Sequence, residues 1–409
     1  MVTAYGRLLG SEEDAGGAHP TARTGAPPAP PAQREVFLDA IRAIAIVRVI
    51  AWHAFGVAAI TYFVAAMPAM FFVSGSLLAK SMRRRPAPTV LADRFRRLLV
   101  PLWVFALAAW TIMATVAWHQ GGELPLEQAA AWFLPLTDPQ GTDWEGGWLS
   151  SHLWYLRTLT WLLLASPLII RAVRRRPGLT LAVPLAATFA LDRLARDGAL
   201  PFGHGLAWAL GDLALYSIFF LAGALHRDGA FAALRRRGWL ALAVLAGLAA
   251  VAWRLTQPVP LGVVNNSHPM HLFVGAAWLA VAMAAQGPLA RLATAPFAGA
   301  AVRAIGRRSL TIYLWHTAAI IVAVNVLSWR RVDDGAAYYV GLVLLTLLGI
   351  LVAVRAFGWV EDLAARRRPL RPAAPALAAL LPRRIAVGTV AATAAALLVT
   401  ASSPRVTTP

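Results

Sequence analysis

The stretch Leu38–Phe55, LDAIRAIAIVRVIAWHAF, is apolar enough to cross a bilayer as a helix, yet it carries Asp39, Arg42, Arg48 and His53. Each of these is costly to hold in hydrocarbon and asks for a partner, a cavity or a function. Arg42 and His53 stand eleven residues apart. At 100° per residue that is three turns plus about 20°, which sets both side chains on one helix face, roughly 16 Å apart along the axis. One face thus carries a fixed cation and a titratable base, and the pattern predicts a single chamber into which both point. Arg48 falls well off that face and needs another partner, a neighbouring helix or a water-filled cleft.

The rest of the chain has the same character. Of its 409 residues 59% are hydrophobic and only 14% charged, and the mean hydropathy of +0.61 is far above that of soluble chains. The formal charge is +19, but the arginines come in short clusters between long apolar runs. That is the pattern of membrane loops and not of a nucleic-acid surface. Cysteine is absent, which excludes disulfides, thiolate metal sites and a cysteine-bound acyl intermediate. No GxxxxGK[ST], HExxH or GxSxG motif occurs, so no metal site is expected.

With about 20 apolar residues needed per span, about eleven candidate helices can be placed. They lie near 36–58, 61–79, 98–118, 152–170, 179–195, 207–226, 239–255, 271–287, 309–329, 338–358 and 384–401. The expected fold is an all-α polytopic membrane helix bundle. Residues 1–34, rich in Ala, Gly and Pro, read as a disordered cytoplasmic tail, with no removable signal peptide before Val36. A basic, proline-containing linker, 361–383, precedes the last helix, which with its tail (384–409) looks appended to the domain 35–360.

Basic clusters at Arg83–Arg85, Arg94–Arg97, Arg174–Arg176, Arg235–Arg237, Arg307–Arg308 and Arg366–Arg368 fill the even-numbered connections. This predicts a cytoplasmic amino terminus in a multi-pass protein of the cell membrane. The third connection, roughly 119–151, has no Lys or Arg and contains Trp132, Trp144 and Trp148. These suit an aromatic belt at the interface or, alternatively, a sugar-stacking surface.

His53 is the first candidate for chemistry, because imidazole is the side chain most readily available as a neutral base. A histidine that merely hydrogen-bonds a neighbouring helix remains the alternative. Arg94 and Arg97 are three apart and share a face if the third span already begins there; guanidinium groups bind phosphate bidentately. A plain positive-inside cluster would look the same. Further residues that could line a cavity are Asp39, Trp154, Tyr155, Arg157, Asp212 and His316. Arg157 or Asp212 could equally be half of an interhelical ion pair. Ser74-Gly75 permits a close helix approach. Intramembrane charges and mid-span prolines also suit a secondary transporter or flippase for a polyol or anion, although the first-span pattern has no repeat later in the chain.

Five segments in order, LDAIRAIAIVRVIAWHAF, FFVSGSLLAKS, RFRRLLVPLWVF, HLWYLRTLTWLLLASPLI and SLTIYLWHT, resemble the acyltransferase-3 family of multi-span membrane O-acyltransferases. The resemblance implies a ten-helix core, to which this chain adds an eleventh helix. The family's R/K-x10-H motif corresponds to Arg42 and His53, and its RxxR motif to Arg94 and Arg97. The implied activity is transfer of an acyl group, often acetyl, from cytoplasmic acyl-CoA to a hydroxyl of a sugar, glycan or glycosylated metabolite. Acyl-CoA is then a co-substrate and not a bound cofactor. On this reading Arg94 and Arg97 hold the donor, His53 is the general base, and Arg42 orients the donor or stabilises the oxyanion.

Because the chain has no cysteine, Arg84→Cys places a unique thiol in the second connection. It is expected to react with an impermeant maleimide only from the cytoplasmic face, and labelling of intact cells from outside would reverse the topology.

Overall fold

The computed structural model describes residues 33–57, 59–120, 122–124, 126–142, 146–200, 203–257 and 265–367. Among them every regular element is helical. The expected last helix near 384–401 and nearly all of the amino-terminal tail lie outside the described residues.

Helix α1 covers Gln33–Phe55, and a one-turn helix α2 (Ile60–Phe63) leads into α3 (Ala66–Met82). Helix α4 (Ala87–Gln120) is followed by two short helices, α5 (Ala129–Phe133) and α6 (Gly146–Ser150), in the long third connection. Then come α7 (Trp154–Arg175), α8 (Pro177–Arg196), α9 (His204–Asp228), α10 (Arg236–Thr256) and α11 (His268–Ala284). Two shorter helices, α12 (Gln286–Thr294) and α13 (Pro296–Arg307), precede α14 (Ser309–Trp329) and α15 (Gly335–Ala364). The ten expected core spans therefore correspond to α1, α2 with α3, α4, α7 to α11, α14 and α15.

Eight described spans are long and apolar enough to cross a membrane, or nine if α11 and α12, bent by 68° at their junction, make one. Helix α1 is not among the eight, and Asp39, Arg42 and Arg48 lie within it. The charges that make α1 a candidate for chemistry are those that make it a poor lipid-facing helix, and its side chains Phe37, Leu38, Ile41 and Ala45 are accordingly buried in the bundle core.

Two features position the site. Helix α4 is 34 residues long, about 51 Å at 1.5 Å per residue. It therefore continues beyond the hydrocarbon thickness, and its first turns carry Arg94 and Arg97 as part of one rigid rod. The second is the crossing of α3 and α9, where a Cβ on Gly75 would fall 1.9 Å from the Phe220 carbonyl oxygen, and one on Gly223 1.9 Å from that of Phe72. The two backbones touch through reciprocal glycines, the arrangement by which helices associate when lipid offers no hydrophobic gain.

Gly75→Ala or Gly223→Ala must push the two helices apart and should cost about 1–3 kcal/mol by overpacking. The expected result is a lowered unfolding midpoint in detergent micelles for either variant. An unchanged midpoint for both would show that the crossing is not tightly set.

Candidate active site

Helix α1 contributes to the walls of two cavities. The first, of about 200 Å³, is lined by Arg42 from α1, Arg94 and Arg97 from α4, and Arg367 from just beyond α15, with Ser74, Tyr155 and Glu361 among its other walls. Among the described residues neither Arg94 nor Arg97 has a carboxylate within ion-pair distance; Arg94 reaches only the Ser81 hydroxyl, at 3.3 Å. Arg42 is held by Asp39 at 2.7 Å. The carboxylate of Glu361 is turned to Thr311, accepting from its hydroxyl at 2.8 Å and its backbone N–H at 3.3 Å. Four guanidiniums against one carboxylate give this wall an excess of positive charge, of the kind that a polyanion complements.

Arg367 reaches this wall through the way α15 ends. The backbone N–H of Arg366 donates to Leu363 O at 3.0 Å and that of Arg367 to Asp362 O at 2.9 Å, the Schellman closure. Arg366 takes a left-handed φ of +52° where glycine would be unstrained. Arg308 and Arg96 fasten the turn, Arg308 on the Asp362 carboxylate at 2.6 Å and Arg96 on the Ala364 carbonyl at 2.9 Å.

The second cavity, of about 770 Å³, is lined by Arg48, Trp52 and His53 of α1, by Asp138, Trp148 and His152 of the third connection and the turn into α7, and by Trp154, Asp212, Tyr216 and His271 of the bundle. Hydrogen bonding sets the tautomers of His53 and of its neighbour His316, which is fully buried and lines neither cavity. His316 Nδ1 lies 2.6 Å from the Tyr313 carbonyl, and a carbonyl only accepts, so Nδ1 carries the proton and Nε2 the lone pair. His53 Nδ1 faces two acceptors, that Nε2 at 3.2 Å and the Val49 carbonyl at 2.9 Å, so it too is protonated. The lone pair of His53 is left on Nε2, the nitrogen remote from both partners. The His152 ring lies beside His316, with centroids 5.0 Å apart.

Behind this cavity Arg157, 1% exposed, bridges two carboxylates, Asp212 at 2.6 Å and Asp138 at 3.0 Å. His268 meets the other Asp212 oxygen at 3.3 Å. The network ties the third connection to α7, α9 and α11. Burial pushes the Asp138 carboxyl above the ordinary carboxylate value; Arg157 pulls it back and Asp212 adds to the rise. Among the described residues no group of three or more His, Cys, Asp or Glu is placed to hold a metal ion.

The structure thus brings Arg42, Arg94, Arg97 and Tyr155 together on one cavity, and His53 and Trp154 on the other. Arg42 and His53, expected on a single chamber, line separate cavities, and Tyr313 stands in the wall of both. The arginine that shares the cavity of His53 is Arg48, whose guanidinium donates to the buried Thr61 hydroxyl. Asp39 lines neither cavity and, among the described residues, pairs with Arg42 alone. Arg157 and Asp212, open between cavity and ion pair on sequence grounds, form a pair with each other. Trp132 belongs to no belt: it is fully buried, with its ring near Phe105 and its indole N–H on the Gln140 carbonyl at 2.8 Å. Trp144 lies outside the described residues, and Trp148 lines the histidine cavity. His152, Asp138 and Arg367 were not singled out in the sequence. His152 opens the family-resembling segment HLWYLRTLTWLLLASPLI, and Arg367 lies inside a basic cluster indistinguishable from a topology marker.

A family model described as an acyltransferase domain, acyltransferase 3, matches residues 35–355. The chain belongs to this family. It is a multi-pass membrane acyltransferase, so the transporter that its intramembrane charges would also allow gives way. No curated protein and no solved structure matches the chain.

Removing the Arg157 charge strands two carboxylates. Arg157→Met in this acyltransferase should lose about 3–5 kcal/mol, the cost of an uncompensated buried charge. The unfolding midpoint in detergent should fall steeply, and the double variant Arg157→Met with Asp212→Asn should recover part of the loss; equal stability of the single variant would remove the network from the fold's support.

Proposed function

We propose that this membrane acyltransferase moves an acyl group, acetyl being the expected one, from acyl-CoA to a hydroxyl of a sugar, glycan or glycosylated metabolite, with His53 as general base. The observation that carries the reading is the pairing of an arginine-lined cavity with a histidine-lined one that shares Tyr313 in its wall. The first suits the phosphates of coenzyme A, held by Arg94 and Arg97 with Arg42 and Arg367, and opens toward the cytoplasm of the cell membrane in which the protein sits. The second, with Trp148, Trp154 and two carboxylates in its walls, suits a polyol that stacks on indole faces and donates hydroxyl hydrogen bonds.

In the reaction, His53 Nε2 takes the proton of the acceptor hydroxyl as its oxygen attacks the thioester carbonyl. The new C–O bond forms, the C–S bond breaks, and the coenzyme thiolate recovers the proton from the imidazolium. The products are an ester and a free thiol, with no covalent enzyme intermediate. His316 accepts the Nδ1 hydrogen of His53 and is itself anchored on Tyr313 O, the role of an orienting third group. Arg48, on the same cavity as His53, is the guanidinium placed to face the developing oxyanion. Arg42 belongs with the donor phosphates.

With purified protein, His53→Ala should lower acceptor-dependent cleavage of acetyl-CoA by about 100- to 10,000-fold while leaving donor binding intact. Arg94→Ala and Arg97→Ala should each weaken donor binding by on the order of tenfold or more, the value of a charge-assisted hydrogen bond. A fully active His53→Ala enzyme would end the base assignment. Unchanged donor affinity in both arginine variants would reduce those residues to topology signals.

A further inference from the structure

Among the described residues that line the two cavities, Tyr313 of α14 is the one common to both. Its neighbours separate cleanly: Tyr155 lines the arginine cavity, while His152 and Trp154 line the histidine cavity. Tyr313 thus stands in the wall of each, and it is buried, 6% exposed.

Tyr313 is held by one side-chain hydrogen bond and by packing in the bundle core. Its hydroxyl donates to the carbonyl of His152, in the turn that leads into α7. Its ring stands edge-on to Tyr155 and to His152, with centroids at 5.3 Å and 5.1 Å, and tilted to His316 at 5.9 Å. A neutral hydrogen bond and edge-on ring contacts are individually weaker than the charge-assisted bonds that the phosphates of a coenzyme make with several guanidiniums. Tyr313 also sits three residues before His316 and supplies the carbonyl that fixes the His316 tautomer, so a side-chain rotation can open the partition while the backbone keeps the His53–His316 pair aligned.

We propose that Tyr313 is a displaceable seal between a donor chamber and an acceptor chamber. The acyl-pantetheine arm of the donor pushes it aside to bring the thioester to His53, and in its absence the closed ring keeps the water of the larger cavity from the smaller one. The use of the seal by the donor rests on the function proposed above; its existence as a partition does not. With the seal lost, water in the histidine cavity competes for the thioester carbonyl: its oxygen forms the C–O bond, the C–S bond breaks, and a carboxylic acid and free coenzyme thiol leave in place of the ester.

The absence of native cysteine allows a direct test. Met67→Cys puts one thiol in the histidine cavity, to be probed in sealed membrane vesicles of each orientation with a small impermeant methanethiosulfonate. With Tyr313 intact, the thiol should react only from the face onto which the histidine cavity opens. With Tyr313→Ala it should react from both faces, and continued protection from the arginine-cavity face, with normal reaction from the other, would overturn the seal.

Tyr313→Phe, which keeps the ring and loses only its tie to His152, covers the case in which the alanine variant does not fold. It should raise acceptor-independent hydrolysis of acetyl-CoA relative to transfer, and an unchanged ratio in an active enzyme would also overturn the seal. If the unaltered protein neither binds nor cleaves acetyl-CoA while Tyr313→Ala still opens the labelling path, the donor reading fails and the partition stands.

Discussion

An ionised or strongly polar side chain in a hydrocarbon slab must find water, a counter-charge or a hydrogen-bond partner, and helix α1 meets this constraint three times in succession. Arg42 takes Asp39 one turn away and opens onto the smaller cavity. Arg48 takes the Thr61 hydroxyl from the one-turn helix α2 and opens onto the larger. His53 takes His316 from α14 and its own backbone carbonyl at Val49. The partners outside α1 come from α2 and α14, so the placing of these elements around α1 and the protonation pattern of the site are a single structural fact.

How far the sequence reveals this depends on which interactions are local. Ten of the eleven expected spans have counterparts in described helices, because a run of about 20 apolar residues needs no tertiary information to be recognised. The span near 179–195 shows why charge at a helix end does not spoil one: Asp192 and Arg196 pair at 2.7 Å and Arg193 and Asp197 at 2.8 Å, each along one helix face at the end of α8. Gly75 was readable as a close approach, but its partner Gly223, 148 positions later, was not. The site divides in the same way. The grouping of Arg42, Arg94 and Arg97 is what the family resemblance implies, whereas the tyrosine in the walls of both cavities lies about 260 residues beyond His53, where the helical periodicity of α1 carries no information. Helix geometry places two groups on a common face but cannot say what is inserted between them.

The third connection illustrates a different limit. Its tryptophans and missing basic residues read as an interfacial loop, yet Trp132 is wholly buried, and Asp138 is drawn to a buried arginine. The segment behaves as part of the bundle because two indole N–H groups and one carboxylate bind it to groups that α4, α7 and the loop itself supply. The same segment furnishes Asp138, Trp148 and His152 to the larger cavity, so the wall that faces an acceptor is fastened through Arg157 to the core of the protein.

These arrangements assign different physical tasks to the two arginines of α1. An arginine meant to stabilise charge at a thioester carbonyl must stand beside the general base, and one meant to hold phosphates must stand among other cations. Arg42, clustered with Arg94, Arg97 and Arg367, meets the second condition; Arg48, on the cavity wall with His53, meets the first. Their six-residue spacing, about 600° of helix rotation, sets them some 120° apart around the axis. A single helix can therefore serve a polyanion on one side of a partition and an acyl transfer on the other without either guanidinium entering the other's field.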